Sequence, residues 1–182
     1  MARVSKEQSQ KNRETILQVA AGLFRERGLA GIGVADLMAA AGLTHGGFYG
    51  HFASKDDLAA EAAGRAFDEV SGMWKSDAAF EASVTQYLSA EHRDAPDKGC
   101  PMAALAADVA REGNDKPIRA VFQKGIAETV EALSGLQADG RKGALVDLAA
   151  LIGALTLARA TKGDAISDEI LAAVRERLLG NA

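Results

Sequence analysis

The chain has a single cysteine, so no internal disulfide can staple it, and that fits a reducing compartment. Three prolines in 182 residues leave long stretches free to be helical, and Ala, Leu and Glu are plentiful. No apolar run at the start resembles a signal peptide, which predicts a cytoplasmic protein. The longest apolar stretch, 144–158, carries Asp147 and falls short of the ~20 residues a membrane span needs, so no membrane partner is expected. There is no Gly-x-Ser-x-Gly elbow, phosphate loop or dinucleotide fingerprint, which argues against an enzyme. The three histidines, His45, His51 and His92, have no ligand spacing, so neither metal nor cofactor is expected. A formal charge of −4 excludes nonspecific coating of nucleic acid. The charge is uneven, however. Through residue 27, Arg3, Lys6, Lys11, Arg13, Arg25 and Arg27 outnumber Glu7, Glu14 and Glu26. The N-terminal end is locally basic and the remainder acidic.

Residues 33–55 are the most informative stretch. Val34, Leu37, Met38 and Ala41 recur at helical spacing, and Gly42 supplies the left-handed exit that ends the helix. Thr44 is read as the N-cap of a second short helix, with Phe48 and Phe52 packed inward one turn apart. Ser54 and Asp57 form a capping box that opens the next helix. Two short helices joined by a tight turn make a helix-turn-helix, a shape that enters the DNA major groove.

The run from Ala41 to Leu58, with Tyr49, His51, Phe52, Ser54, Lys55 and Leu58 in register, resembles the signature of TetR-family transcriptional regulators. So does the upstream run Ile16–Gly28. The resemblance covers about the first third of the chain. It implies an all-α fold, with a three-helix DNA-binding domain at 1–53 and a helical ligand-sensing and dimerisation domain at 54–182. It also implies a homodimeric repressor on double-stranded, pseudo-palindromic operator DNA, released by a small-molecule inducer. Two positions depart from the family pattern. Gly33 stands where Thr or Ser usually caps, and Gly46-Gly47 where side chains often touch bases.

Expected DNA contacts follow from residue chemistry. Thr44 and His45 are the candidates for base edges, and Tyr49 and His51 for phosphates. Lys55 lies near a helix N-terminus, where charge and dipole both attract phosphate. Gly46 and Gly47 allow close backbone approach and shape readout. Arg3 and Lys6, on a polar arm over 1–9, add phosphate or minor-groove contacts. The bland alternative is a solvated helical hairpin whose aromatics only pack.

About nine helices are expected. The first runs over 10–27, with Ile16, Ala20, Leu23 and Phe24 buried. One runs from Ser54 to Trp74 with Val70 and Trp74 inward, and one from Asp77 to Glu91. Arg93–Gly99 is read as a loop. A helix opens at Pro101 with Cys100 as N-cap and ends near Gly113. Asp115 and Pro117 open the next, and Ser167 caps the last. The helix over 142–161 is apolar nearly all round and needs cover from a second subunit. With its successor it forms the four-helix dimer bundle that the resemblance implies, through Leu148, Leu151, Ile152, Leu155, Ile170, Val174 and Leu178.

Trp74, Phe80, Tyr87, Met102, Leu105, Phe122 and Ile126 are the candidates for lining an apolar inducer pocket, plain core being the alternative. Cys100 at a helix N-terminus is expected to have a lowered pKa, as an oxidant or electrophile sensor would. Gly99-Cys100-Pro101-Met102 also resembles a subgroup of TetR-like regulators, some of which sense reactive species through that cysteine. A small buried hydrophobe is the alternative. Beyond a regulator, a small helical enzyme or carrier for an apolar ligand and a protein-interaction module remain open.

Overall fold

A computed structural model describes residues 5–74, 77–136 and 139–180, without the side chains of 77–79. Arg3 lies outside the described residues. The described chain is all helical: α1 Lys6–Arg27, α2 Val34–Ala40, a 3-10 segment His45–Gly50, α3 Lys55–Val70, α4 Asp77–Tyr87, α5 Ala90–Asp94, a 3-10 turn Pro96–Lys98, α6 Pro101–Arg111, α7 Pro117–Ser134, α8 Arg141–Ala160 and α9 Ala165–Leu178.

The caps explain most boundaries, including those that differ from expectation. The Ser5 hydroxyl accepts from the Gln8 amide at 3.1 Å, so α1 begins at Lys6 and takes up half the expected arm. Gly28 ends α1 at φ 76°, and the next amide, Leu29 N–H, is held by Asp108 Oδ2 of α6 at 2.9 Å. A side chain at 28 would meet that carboxylate at 2.6 Å, so the glycine serves both the turn and the docking of α1 on α6. Gly42 takes the expected left-handed exit, φ 71°. Ser54 caps α3, accepting from Asp57 N–H at 3.1 Å and donating to its carboxylate at 2.7 Å.

Elsewhere the reading needs correction. α3 stops at Val70, half-buried, four residues before the expected end. The expected helix from 77 to 91 is two, because Ser89 caps a new one by accepting from His92 N–H at 3.1 Å. The expected loop 93–99 holds the end of α5 and a 3-10 turn. α6 ends at Arg111, and Lys116 rather than Asp115 is the N-cap of α7. Asp164, not Ser167, caps α9. Ser167 is fully buried inside that helix, where its hydroxyl donates to Ala158 O at 2.7 Å and accepts from Arg93 at 2.9 Å.

One core runs through the described molecule, from Ile16, Ala20 and Phe24 on α1, through Leu58 and Phe67 on α3, to Leu133, Leu151 and Leu155. Leu23 is only half-buried against it. α3 packs against both α1 and α7, so it joins the N-terminal unit to the rest. The Arg25 guanidinium, 6% exposed, ties three segments together. It donates to Ala21 O at 3.0 Å, to Gly99 O at 3.1 Å and to Glu69 of α3 at 2.9 Å.

Candidate nucleic-acid interface

The helix-turn-helix is built on Phe48. This ring is fully buried, with Leu37 and Met38 of α2, and it meets Phe52 at 5.8 Å between centroids. The next residue points the other way. Tyr49 is 69% exposed and edge-on to Phe48. Thr44, His45, Gly46 and Gly50 are exposed beside it, while Gly47 and His51 are half-buried. Of the expected base-reading and phosphate-contacting residues here, Thr44, His45, Gly46 and Tyr49 are thus exposed, and Gly47 and His51 only partly so.

The second element of the motif is a 3-10 segment, not an α-helix, and the Thr44 hydroxyl does not cap it. Three glycines in six residues remove the helix propensity that would sustain α-geometry. Gly33 leaves the start of α2 equally without a side-chain cap.

Positive charge on this unit is narrower than the sequence suggests. Arg13 pairs with Glu61 of α3 at 2.6 Å and sits over the Phe52 ring at 4.7 Å. Arg25 pairs with Glu69, and Glu14 with Arg65. The α3 acids thus hold part of the basic α1 surface. Lys6 is exposed at the start of α1. Lys55 is half-buried in the first turn of α3, its amine 6.0 Å from the Phe24 ring, in a cleft that Lys116 and Asp56 also line.

Residues 16–62 match the family of bacterial regulatory proteins described as tetR. The HTH-type transcriptional regulator AcrR of Shigella flexneri is 41% identical over 61 residues, 34% of this chain and 28% of that regulator. The whole fold also has solved counterparts. A TetR-family transcriptional regulator from Cytophaga hutchinsonii superposes with a TM-score of 0.76 at 24% identity, covering 98% of both chains. A TetR transcriptional regulator from Chloroflexus aurantiacus gives 0.74 at 25% identity, over 95% of this chain and 96% of its own. The reduced form of NemR from E. coli gives 0.74 at 21% identity, over 90% of this chain and 95% of its own. Residues 16–62 thus match the DNA-binding unit of TetR-family regulators, and the whole chain has their fold.

The residues beyond the matched segment answer differently to expectation. Of the seven pocket candidates, Trp74, Tyr87, Met102, Leu105 and Phe122 are buried in the core, and Phe80 is half-buried against it. Ile126 is 37% exposed on α7, so it does not face the core. Gly125 holds the inward position beside it, against the Phe67 ring. Only Trp74 of the seven lines a cleft of about 230 Å³ between α3 and α7, with Phe67, Asp68, Gly125 and Thr129.

Cys100 is buried, 3% exposed, and burial pushes its thiol up from the usual range despite nearby donors. The helix N-terminus does not lower it as expected, because loss of water outweighs the dipole. Its backbone is tied as well. Cys100 N–H donates to His92 Nε2 at 3.0 Å, which leaves His92 Nδ1 to carry the ring proton and donate to Tyr87 O at 2.7 Å. Burial, with Arg159 nearby, holds His92 below its usual 6.5. The unfolded chain therefore takes up a proton near pH 6.5 that the folded one refuses. Stability should be full above that pH and fall as pH drops below it. Urea unfolding at pH 7.5 and 5.5, with His92→Asn as the control that flattens the difference, measures this.

The residues expected at a dimer interface divide. Leu148, Leu151 and Leu155 are buried in the chain's own core, so they are not available to a second subunit. Ile152, Ile170, Val174 and Leu178 are half-buried. The bare apolar residues of α8 are Leu145, Val146 and Leu157, at 48%, 62% and 56% exposure, with Ile166 at 48% just inside α9. α8 is long and apolar enough by composition to cross a membrane, with a third of its span buried here. The sequence reading missed Arg25, His92, Gly125 and Arg159. Only Gly125, an isolated glycine inside a helical pattern, carries a sequence signal.

Proposed function

We propose that the protein is a cytoplasmic DNA-binding transcriptional repressor, without catalytic activity, that acts as a homodimer and leaves its operator when a small inducer binds. The observation that carries this reading is the outward face of Thr44, His45 and Tyr49 over the buried Phe48 scaffold. The face is rigid from beneath and open above, as a groove reader requires. Tyr49 and His51 contact phosphates, Thr44 and His45 reach base edges, and Gly46 and Gly47 allow the backbone close. Lys55 and the N-terminal Lys6 and Arg3 add backbone contacts.

The second subunit covers Leu145, Val146 and Leu157, with Ile152, Ile170, Val174 and Leu178 along the edge of the same interface. Two readers then sit in successive major grooves, about 34–36 Å apart on a pseudo-palindrome. The inducer acts without a covalent bond, in the cleft of about 230 Å³ where α7 meets α3. A wedge there tilts the helix that carries the reader. Burial of Cys100 speaks against the electrophilic route. An electrophile that releases the wild type but not Cys100→Ser would restore that route.

The test is binding of the purified protein to the promoter DNA beside its own gene, across salt. A regulator binds selectively and loses affinity steeply with salt, about 10³–10⁵-fold between 50 and 200 mM for 6–10 phosphate contacts. No selective site there or in a random-sequence selection would overturn the reading. A small helical enzyme or carrier would then replace it.

A further inference from the structure

We propose that the groove where α1, α5, α6 and α8 meet is a binding site for a small organic monocarboxylate, with Arg159 as its counter-charge. The groove encloses about 620 Å³, room for a ring-sized acid. It is separate from the α3–α7 cleft.

Four cations line the groove, and three of them have a carboxylate partner. Arg25 is matched by Glu69 at 2.9 Å, and Arg93 by Asp168 at 2.6 Å and Asp94 at 2.8 Å. Lys162 is matched by Asp94 at 3.2 Å. Arg159 differs. Its Nε donates to Arg93 O at 3.2 Å and its Nη2 to His92 O at 3.0 Å, both neutral carbonyls. No carboxylate pairs with it among the described residues, and its buried Nη1 has no partner there. Burial lowers its pKa, and the groups that push the other way are the Tyr87 phenol and Cys100 thiol, both neutral at pH 7. A guanidinium stays charged in a protein, and a half-buried one without a counter-ion is costly. Nη1 is closed off from solvent, so an anion in the groove acts on Arg159 as the missing counter-charge and does not take up that N–H.

The position is also built. A side chain at Gly99 would come within 2.7 Å of Arg159 Nη2 and of His92 Nε2, so only glycine leaves room for the guanidinium. Ala103, Ala104 and Pro96 give the groove an apolar wall for the body of the ligand. Glu26, Asp94 and Asp97 line it too, so the four cations Arg25, Arg93, Arg159 and Lys162 leave the lining one net positive charge, which suits a monoanion better than a multiply charged phosphate.

The groove touches α1 directly, because Arg25 and Glu26 line it, and also through the Gly99–Cys100 peptide group. Gly99 O accepts from Arg25 of α1, and the Cys100 N–H of the same peptide donates to His92. An occupant drawing on Arg159 changes what α1 is tied to. This coupling rests on the repressor reading; the binding itself does not.

Calorimetric titration of the full chain with benzoate, against isosteric neutral benzamide, tests the site. Saturable benzoate binding is expected, with benzamide at least about tenfold weaker. Arg159→Gln should lose benzoate binding, as should Ala104→Asp, which puts a carboxylate on the groove wall; the unfolding midpoint of each, measured alongside, shows that it is folded. If Arg159→Gln does not fold, Ala104→Asp decides. No benzoate binding up to about 10 mM, equal binding of benzamide, or wild-type benzoate affinity in Ala104→Asp would overturn the proposal. Operator binding, measured in parallel without benzoate, reports on the repressor reading alone. Its failure would leave a benzoate result standing.

Discussion

Replacing Gly125 by alanine should destabilise the protein by about 1–3 kcal/mol, although alanine is the better helix former by about 1 kcal/mol. The two effects have opposite signs, and the geometry decides between them. A Cβ at 125 would lie 2.5 Å from two atoms of the Phe67 ring, closer than any real contact. The ring has little freedom to yield. It is 8% exposed and held edge-on against Phe122, at 5.2 Å and 82°. Either the ring leaves its rotamer or α7 moves off α3, and both forfeit packing at the joint that links reader to sensor. Urea unfolding measures the sign directly. Phe67→Leu in the Gly125→Ala background should recover part of the loss, because a flexible side chain can make room. A gain in stability from Gly125→Ala alone would mean that the contact yields easily.

Neighbouring aromatics in the reader should behave in opposite ways. Phe48→Ala removes a fully buried ring and should cost about 3–5 kcal/mol. Against a total stability of about 5–15 kcal/mol, that is enough to leave much of the protein unfolded near 37 °C. Tyr49→Ala removes a ring that is 69% exposed and should change stability by no more than about 0.5 kcal/mol. Operator affinity should nonetheless fall about tenfold or more in Tyr49→Ala, which corresponds to about 1.4 kcal/mol. Circular dichroism melts and fluorescence anisotropy on labelled operator separate the two outcomes. Wild-type affinity in Tyr49→Ala would remove Tyr49 from the interface.

What was legible in the sequence was what local chemistry controls. Serine caps, a left-handed glycine exit and apolar periodicity act within a turn or two, so the Ser54 cap, Gly42 and the inward Phe48 and Phe52 could be read directly. Boundaries failed where two signals competed. Asp164 and Ser167 both suit an N-cap, and only the tertiary partners Ala158 and Arg93 draw Ser167 inside the helix. The three glycines of the reader favour its 3-10 geometry, but Thr44 as a cap and Phe48 and Phe52 four residues apart read as an ordinary helix. Facing in α8 was misjudged because an all-round apolar helix has no periodicity to say which side its own core claims. Leu148, Leu151 and Leu155 went inward and left Leu145, Val146 and Leu157 outside. The pairing of Arg25 with Gly99 spans 74 residues, and no pattern in one sequence announces such a bond. The same holds for Cys100, whose pKa depends on burial by distant helices rather than on its own N-terminal position.

The glycines of the reader have a consequence for how this scaffold can change its target. At Gly46 and Gly50 an added Cβ would meet open space, and neither has the positive φ that would reserve the position for glycine. Both are exposed, beside the exposed Tyr49 ring of the proposed reader. Side chains can therefore be added there without disturbing Phe48 beneath them, and each would be a new hydrogen-bonding group presented to the groove. Duplication of the gene followed by one substitution at Gly46 is a short route to a paralogue with a different operator, because the change enlarges the recognition surface while the fold is already complete without it.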